Sequence, residues 1–259
     1  MDIAASFTQF PPLVLFGAAL VLFCGGVIKG AVGFALPMIA VAGIGSFLSA
    51  QETLALMILP VFVSNLWQTL RQGIRPAVET GRRFWKMILL LAGLIVVVGQ
   101  VVPDIPSHYL FLVLGAVVSI AAILQLAGWR PLAPVGRGAR AALECAVGAF
   151  AGICGGLSGV WGPPVMFYLV SLRLPRAEQV RAQGLTFFVG SVMLVIAHIK
   201  SGLLDAATIP SSALMILPAA AGMAIGVRMQ DAMHPERFRK VTLAVLCVAG
   251  LNLLRRGLF

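Results

Sequence analysis

Two glycine-rich clusters, at residues 25–33 and 155–164, carry the sequence features best suited to binding a ligand. Glycine lets a ligand approach the backbone closely, and a helix that begins at such a cluster points free N–H groups and its positive dipole end at the ligand. Two helix starts that face each other would favour an anion, and Pro37, Pro163 and Pro164 suit such starts. The alternative is that the glycines only permit tight helix packing.

Lys29 is the strongest single candidate for a functional residue in these clusters. It lies between Ile28 and Gly30 within a long apolar run. A charge in such a position is costly in lipid and indicates a functional site. The amine either binds an anion directly or releases its proton and couples the protein to a proton gradient. The alternative is a lysine that reaches an interface or pairs with a neighbour.

Polar side chains of two other apolar runs complete the predicted site. Asn65 and Gln68 lie beside Trp67, and Gln183 and Thr186 lie in a matching later run. Such side chains also serve simply as hydrogen bonds between membrane helices. We expect the substrate-binding residues to be Lys29, Gly30, Ala31, Val32, Gly33, Phe34, Asn65, Gln68, Ser158, Gly159, Val160, Trp161, Gly162, Gln183 and Thr186.

Other titratable and basic residues are weaker candidates. His198 is either a proton carrier or a structural residue. Glu52 and Glu144, near segment ends, are the acidic residues that could couple a substrate to an ion. Arg71 and Lys200, at matching helix ends, are more consistent with interfacial anchors than with gates. No cluster of metal-ligand residues is evident, and no metal or cofactor is expected.

The composition indicates a membrane protein. Of the 259 residues, 60% are hydrophobic and 11% charged, and the mean hydropathy is +1.00, which excludes a soluble domain of this size. The net charge of +10 comes from Lys and Arg in short loops, so it indicates the positive-inside pattern and not nucleic-acid binding. The four cysteines lack metal or redox spacing. Without a Walker motif the chain shows no ATPase, and no enzyme is expected.

Eight apolar runs predict the membrane segments, and two of them are too long for one crossing. The two long runs, 12–48 and 141–172, would each form a helix of about 48 Å or more at 1.5 Å per residue. Glycines interrupt both, so we expect the helices to be broken over residues 25–37 and 154–164. The other runs are 52–70, 84–102, 108–128, 182–200, 208–229 and 238–254.

Loop charges decide whether each long run crosses once or forms a hairpin. One crossing would place the basic loops 71–86 and 228–240 on opposite sides of the membrane, whereas hairpins place all the basic loops in the cytoplasm. Hairpins therefore predict an all-α protein with about ten membrane segments and both termini outside. Only Arg255 and Arg256 disagree. No Lys or Arg precedes Lys29, so no signal peptide is expected.

The two long runs are also related to each other by an offset of 129 residues. The same offset relates residues 70–73 to 199–202. It predicts a first transmembrane repeat at 1–133 and a second at 134–259, which form one integrated membrane domain, and five segments per repeat make the repeats inverted. At this offset Ser158 is the counterpart of Lys29, and its hydroxyl either binds an oxyanion or packs between helices. The glycine pairs are Gly26 with Gly155, Gly30 with Gly159 and Gly33 with Gly162.

At these paired breaks the chain resembles the TauE/SafE family of sulfite exporter-like transporters, over nearly its whole length. The resemblance implies transport of sulfite, sulfonates or related sulfur oxyanions, commonly outward, in the bacterial inner membrane; some relatives import aromatic or other organic anions. The chain has Gly33-Phe34-Ala35 where the family often has a fuller glycine run, so the exact anion stays open. The matching residues are Gly26, Gly30, Gly33, Pro37 and the segments 155–164 and 197–205.

We therefore expect a secondary transporter that exports sulfite, an organosulfonate or a related small organic or sulfur oxyanion by alternating access, with one half rocking against the other. The expected partners are the anion and the lipid bilayer. A coupling proton or ion and a homodimer are left open. Two alternatives remain. One is an intramembrane serine protease that uses Ser158 and His198, because residues 156–159 fit a GxSG pattern. The other is a membrane scaffold that transports nothing.

Overall fold

The computed structural model describes residues 10–71, 73–128, 136–229 and 235–258, and these ranges contain helices and turns but no strand. A short 3-10 turn, Val102–Asp104, connects two of the helices. The α-helices are α1 Pro12–Val32, α2 Leu36–Ile44, α3 Ala50–Arg71, α4 Ile74–Arg83, α5 Trp85–Gly99, α6 Ser107–Leu126, α7 Arg137–Ser158, α8 Gly162–Ser171, α9 Arg176–Lys200, α10 Ile209–Leu214, α11 Ile216–Met229 and α12 Pro235–Leu258.

Long apolar helices make this an all-helical, multi-pass membrane protein, as the composition predicts. Within the described residues, 6 stretches are long and apolar enough to cross a bilayer, and α5 is a shorter apolar helix. At 1.5 Å per residue, a helix of about 20 residues spans the ~30 Å hydrocarbon core. The six stretches are Pro12–Ala31, Ala50–Arg71, Ser107–Leu126, Gly138–Ser158, Arg181–Lys200 and Ile209–Met229.

The first long run folds back on itself as a hairpin, as the loop charges predict. Gly25 on α1 lies beside Ile39 on α2, and Gly43, further along α2, lies beside Val21, an earlier residue of α1. Contacts that run in opposite directions along the two helices make them antiparallel. In the second long run, Tyr168 near the end of α8 lies close to residues at the start of α7, so α7 and α8 also run antiparallel.

The two breaks are shorter and lie later than expected. Gly26 and Gly30 lie inside α1, and Gly155 and Gly156 lie inside α7; the chain leaves the helix only at residues 33–35 and 159–161. The prediction that the whole clusters 25–37 and 154–164 form breaks is therefore wrong. Most of these glycines stay helical because other helices pack against them.

The tightest packing joins α1 to α11. A Cβ atom placed on Gly26 would lie 2.3 Å from the carbonyl oxygen of Ala219, and one on Gly30 would lie 2.4 Å from that of Met223. On the facing helix, a Cβ on Gly226 would lie 2.0 Å from the carbonyl oxygen of Val27. Small residues spaced four apart allow two membrane helices to approach until their backbones are in contact. Gly26 and Gly30 therefore serve helix packing.

The same arrangement joins α7 to α5. A Cβ on Gly148 would lie 2.6 Å from the carbonyl oxygen of Met87, and one on Gly152 would lie 2.9 Å from that of Leu91. Both interfaces cross the predicted boundary between the halves, because α1 and α5 precede it and α7 and α11 follow it. Rocking of one whole half against the other would therefore have to slide or open both interfaces.

The helix ends also correct the register of the predicted repeat. The glycines that end α1 and α7 in left-handed conformation are Gly33 and Gly159, which are 126 residues apart. The offset of 129 holds at the last residues of α3 and α9, Arg71 and Lys200, and at Gly73 and Gly202, which follow them and also have positive φ. The difference arises because α9 has 25 residues and α3 has 22. In the register of the breaks, the counterpart of Lys29 is Gly155 and not Ser158.

One helix was not anticipated. The basic stretch 71–86 contains α4, whose residues Ala77 and Thr80 are buried while Arg75 and Val78 are exposed. The basic residues favoured the interpretation of this stretch as a loop. They are nevertheless spaced so that one face of a helix carries only small residues, and that face packs against the protein. Arg83 at the end of α4 forms an ion pair with Glu178 on α9, which links the two halves.

Substitution of Gly226 by alanine is expected to destabilise the protein, because the added Cβ atom would overlap the Val27 carbonyl at 2.0 Å. Overpacking of this kind typically costs about 1–3 kcal/mol. Thermal unfolding in detergent would measure the loss. Gly93→Ala is the matched control, because nothing lies within 4 Å of a Cβ atom there. Equal unfolding temperatures for the two variants would contradict the close packing of α1 and α11.

Candidate functional site

Each long run breaks at a left-handed glycine followed by the start of a short helix. Gly33 has φ 87° and donates its N–H to the carbonyl oxygen of Lys29 at 2.7 Å, and Gly159 has φ 68° and donates to Gly155 at 2.7 Å. Neither α2 nor α8 has a side chain that caps its first turn. Ala35, which precedes α2, holds φ 87°, a conformation that strains a non-glycine residue and is concentrated at functional sites.

The two breaks meet at a small enclosed cavity of about 20 Å³. A cavity of this size holds about one water molecule, so an oxyanion of four or more heavy atoms would require it to widen. Seven of the predicted site residues line it, together with four that were not predicted. The predicted ones are Lys29, Phe34, Asn65, Gly159, Val160, Trp161 and Gly162, and the others are Ala35, Pro37, Met38 and Phe187.

Lys29 is fixed in the wall of this cavity by neutral partners. Its side chain is only 2% exposed, and Nζ donates to Ser64 Oγ at 2.9 Å and to Asn65 Oδ1. Asn65 Nδ2 in turn donates to the carbonyl oxygen of Phe187 at 3.1 Å. One chain of hydrogen bonds therefore joins α1, α3 and α9. Ser64 was missed in the sequence, although its position beside Asn65 in an apolar run was a usable signal.

Two buried amides flank the first break. Gln183 Nε2 donates to the carbonyl oxygen of Gly33 at 2.9 Å, and Gln68 Nε2 lies 3.7 Å from where a Cβ atom on Gly33 would stand. The Gln68 carbonyl oxygen Oε1 is buried and has no hydrogen-bond partner. A buried amide usually satisfies its hydrogen-bonding atoms, so an unpaired one beside the cavity indicates a polar binding region.

The aromatic walls of the cavity are held by packing. The indole of Trp161 lies close to Gly155 and Gly190, where a Cβ atom would approach the ring to 3.0 and 2.9 Å. Trp161 also meets Phe187 edge to face, with 6.5 Å between the ring centroids. Trp161 therefore both lines the cavity and fills the space that these two glycines leave.

Eight predicted site residues do not line the cavity: Gly33, Gln68 and Gln183 flank the first break, and the other five lie elsewhere. Ser158 Oγ donates to the carbonyl oxygen of Cys154 and accepts from the Val160 N–H, so it helps to end α7. Thr186 Oγ1 donates to the Ala182 carbonyl within α9. The others are Gly30 and Ala31, whose backbones pack on α11, and Val32, whose side chain lies outside the described part of the structure.

Both carboxylates considered for ion coupling cap helices. Glu52 accepts from the N–H and hydroxyl of Ser49, and its own N–H donates to Ser49 Oγ, which is a capping box at the start of α3. Glu144 accepts from the N–H of Met87, in the first turn of α5, at 3.3 Å. Neither carboxylate lines the cavity.

His198 lies at the other end of α9 from Gln183. Its Nδ1 is 3.4 Å from Ser201 Oγ, its Nε2 is buried without a partner, and its carbonyl accepts from Leu204 N–H. Among the described residues no hydrogen bond joins His198 to Ser158, so the arrangement gives no support to a serine protease dyad.

In the turn that follows α9, hydrogen bonds from the Thr208 backbone N–H and other groups lower the pKa of Asp205.

The remaining basic candidates lie away from the cavity. Arg71 and Lys200 end α3 and α9 and are exposed, as expected for interfacial anchors. Within the described residues, no group of three or more His, Cys, Asp or Glu side chains is placed to hold a metal ion.

Comparison with known proteins agrees with the resemblance seen in the sequence. The chain matches the family model "Sulfite exporter TauE/SafE" over residues 18–253. That stretch contains both breaks, Lys29 and the helices α3 and α9. No curated protein and no solved structure matches the chain. Because the family model spans nearly the whole sequence, the chain belongs to the sulfite exporter TauE/SafE family of membrane transporters.

Proposed function

We propose that this protein is a secondary transporter that exports sulfite, an organosulfonate or a related small organic or sulfur oxyanion by alternating access. The observation that carries the proposal is the buried Lys29 amine in a cavity where two uncapped helix starts meet. An amine and the positive ends of two helices favour an anion. The remaining N–H groups of the break residues, those of Phe34, Ala35 and Trp161, and the amides of Gln68 and Gln183 supply further hydrogen-bond donors for its oxygens.

The walls of the cavity favour an anion with a small organic part. Phe34, Trp161 and Phe187 line it, and each is at most 5% exposed. Aromatic and aliphatic walls with a few polar groups are typical of sites for small organic ligands. The cavity lies deep in the bundle, where transporters with broken helices bind their substrates.

The helix packing supports an inverted repeat of five plus five segments, with halves at 1–133 and 134–259. The long hairpin helix of each half packs on a helix of the other half: α1 on α11, and α7 on α5. Helices α3 and α9 pack together, as do α6 and α12, and each is the counterpart of its partner in the repeat. A pseudo-twofold axis accounts for all four pairs. Alternating access would then move two bundles that each contain helices from both halves.

The topology has a direct test. In the proposed arrangement, in the bacterial inner membrane, the basic loops face the cytoplasm and both termini face outward. A C-terminal alkaline phosphatase fusion, active only outside the cytoplasm, should be active, and a green fluorescent protein fusion at the same site should be dark. A fluorescent C-terminal fusion would contradict the ten-segment arrangement.

Efflux from liposomes tests the function itself. The purified protein would be reconstituted into liposomes loaded with sulfite, methanesulfonate, benzenesulfonate or acetate, and release measured by ion chromatography. We expect saturable release of at least one sulfur oxyanion, faster than from protein-free liposomes. Release no faster than the leak for every anion would contradict the proposal and favour a scaffold that transports nothing.

A further inference from the structure

We propose that Lys29 is the proton-coupling group of this transporter: the amine is neutral without a bound anion and takes up one proton when an anion binds beside it. The inference rests on the proposed function, because it concerns the same cavity. It goes beyond that function by making the proton a second, obligatory ligand of the site.

The hydrogen bonds of Lys29 fit a neutral amine. Nζ donates to two acceptors, Ser64 Oγ and Asn65 Oδ1, and a neutral amine has two N–H groups to donate. Both acceptors are uncharged, and the Ser64 hydroxyl donates its own hydrogen bond to the Val61 carbonyl oxygen at 2.9 Å. The amine lone pair then remains to accept a proton, which leaves the resulting ammonium one further N–H for an anion.

Within the described part of the chain, no counter-charge reaches Lys29 from the helices around it. The described side chains from α2, α3, α9 and the second break that line the cavity include no acid, histidine, cysteine or tyrosine, and α11 faces α1 with Met223, Gly226 and Val227. Arg181 on α9 and Arg228 on α11 are charged but do not line the cavity. A buried charge without a partner is strongly unfavourable, so the group neutralises unless a counter-ion arrives.

The other groups that could carry the proton are engaged elsewhere. Glu52 and Glu144 cap helices. His198 contacts Ser201 and does not line the cavity. Lys29 is therefore the titratable group, among the described residues that line the cavity, on which anion binding and proton binding can act together.

Coupling of this kind is reciprocal: the anion favours the ammonium, and the ammonium favours the anion by the same factor. The proton comes from water on the side where the anion enters, sits on Nζ, and leaves with the anion on the other side. A monoanion then moves together with one proton and no net charge. Its direction follows the combined gradients of anion and proton and not the membrane potential.

Calorimetry measures how many protons the protein takes up when the anion binds. Methanesulfonate is a suitable probe because it stays a monoanion at neutral pH, so any proton taken up belongs to the protein. Its binding enthalpy would be measured in Tris, imidazole and triethanolamine, amine buffers that differ in ionisation enthalpy and do not compete as anions. We expect the slope against ionisation enthalpy to correspond to about one proton per anion for the wild type, because one amine titrates.

Two variants assign the proton. Lys29→Arg keeps a cation that stays protonated, so the anion binding that this variant retains should show a slope near zero. Lys200→Met removes an exposed lysine outside the site and should keep the slope near one. A second measurement needs no variant: methanesulfonate efflux should make the liposome lumen alkaline, which a trapped dextran-bound fluorescein reports.

The outcomes separate this inference from the proposed function. Wild-type binding with a slope of zero and no change in lumen pH would overturn the inference and leave the proposed function standing. A slope that stays near one in Lys29→Arg would also overturn it, because another group would then carry the proton. If none of sulfite, methanesulfonate and benzenesulfonate binds, the proposed function fails, and the inference fails with it.

Discussion

Lys29→Met should abolish anion efflux from loaded liposomes while the protein remains folded. The substitution keeps an apolar stem of similar length and removes from the cavity wall the amine that would be protonated beside a bound anion. A hydrogen bond to a charged group contributes about 1.5–3 kcal/mol, and the low dielectric of the site strengthens it. We therefore expect anion affinity to fall by about 100-fold or more, measured by calorimetry with the best anion of the efflux assay.

The control for this result is Lys200→Met, the same substitution at an exposed position that ends α9. It should leave affinity and efflux at wild-type values. Size-exclusion profiles and unfolding temperatures of both variants would show that each is folded. Wild-type affinity in a folded Lys29→Met protein would remove Lys29 from the binding site.

Asn65→Asp should inhibit anion binding as strongly as loss of the lysine, although the lysine remains. The new carboxylate would stand where the amide oxygen now accepts from Lys29 Nζ. It would hold the ammonium in an internal ion pair, so that an incoming anion would meet a site with no net charge. Opposite charges at hydrogen-bond distance attract strongly in a low-dielectric interior. The affinity of the purified variant for the same anion measures the effect.

Two further substitutions separate charge from the loss of the amide. Asn65→Leu removes the same hydrogen bonds to Lys29 and Phe187 without adding a charge, and it should keep more affinity than Asn65→Asp. Gln100→Glu makes the same change from amide to acid at an exposed position after α5 and should have no effect. Equal affinities for Asn65→Asp and Asn65→Leu would contradict a role for the net charge of the cavity.

The membrane architecture was predictable because lipid imposes simple requirements on sequence. A spanning helix must satisfy its own backbone and present apolar side chains, so six of the eight predicted runs contain the spans that the structure describes. The antiparallel pairing of α1 and α2 followed from the length of the run, its glycines and the charges of the loops. The helix α4 escaped prediction because Arg75, Arg82 and Arg83 dominate a short segment whose buried face consists of small residues.

Which residues meet at the cavity was predictable in outline, whereas the register of the repeat was not. A lysine amid glycines signals function by its cost in lipid, and Lys29 does line the cavity. The sequence could not show which glycines end a helix and which allow another helix to pack closely, because that depends on which helix lies beside them. Gly30 packs against Met223, whereas Gly33 ends α1 in a left-handed conformation. The prediction that Ser158 is the counterpart of Lys29 is wrong because α9 has 25 residues and α3 has 22. The offset between the halves therefore differs between the breaks and the ends of these two helices.

The glycine-lined interfaces have a consequence for how such a protein could arise from a half-sized ancestor. A chain equivalent to residues 1–133 would carry α1 and α5 without the partners that their backbones now contact in α11 and α7. Both surfaces would be satisfied at once by a second copy inserted in the opposite orientation. On the proposed inverted repeat, a dual-topology dimer is the expected precursor of this fold, and duplication followed by fusion would fix one orientation for each copy. Only after fusion could a single lysine serve the cavity, since a symmetric dimer would have placed two there.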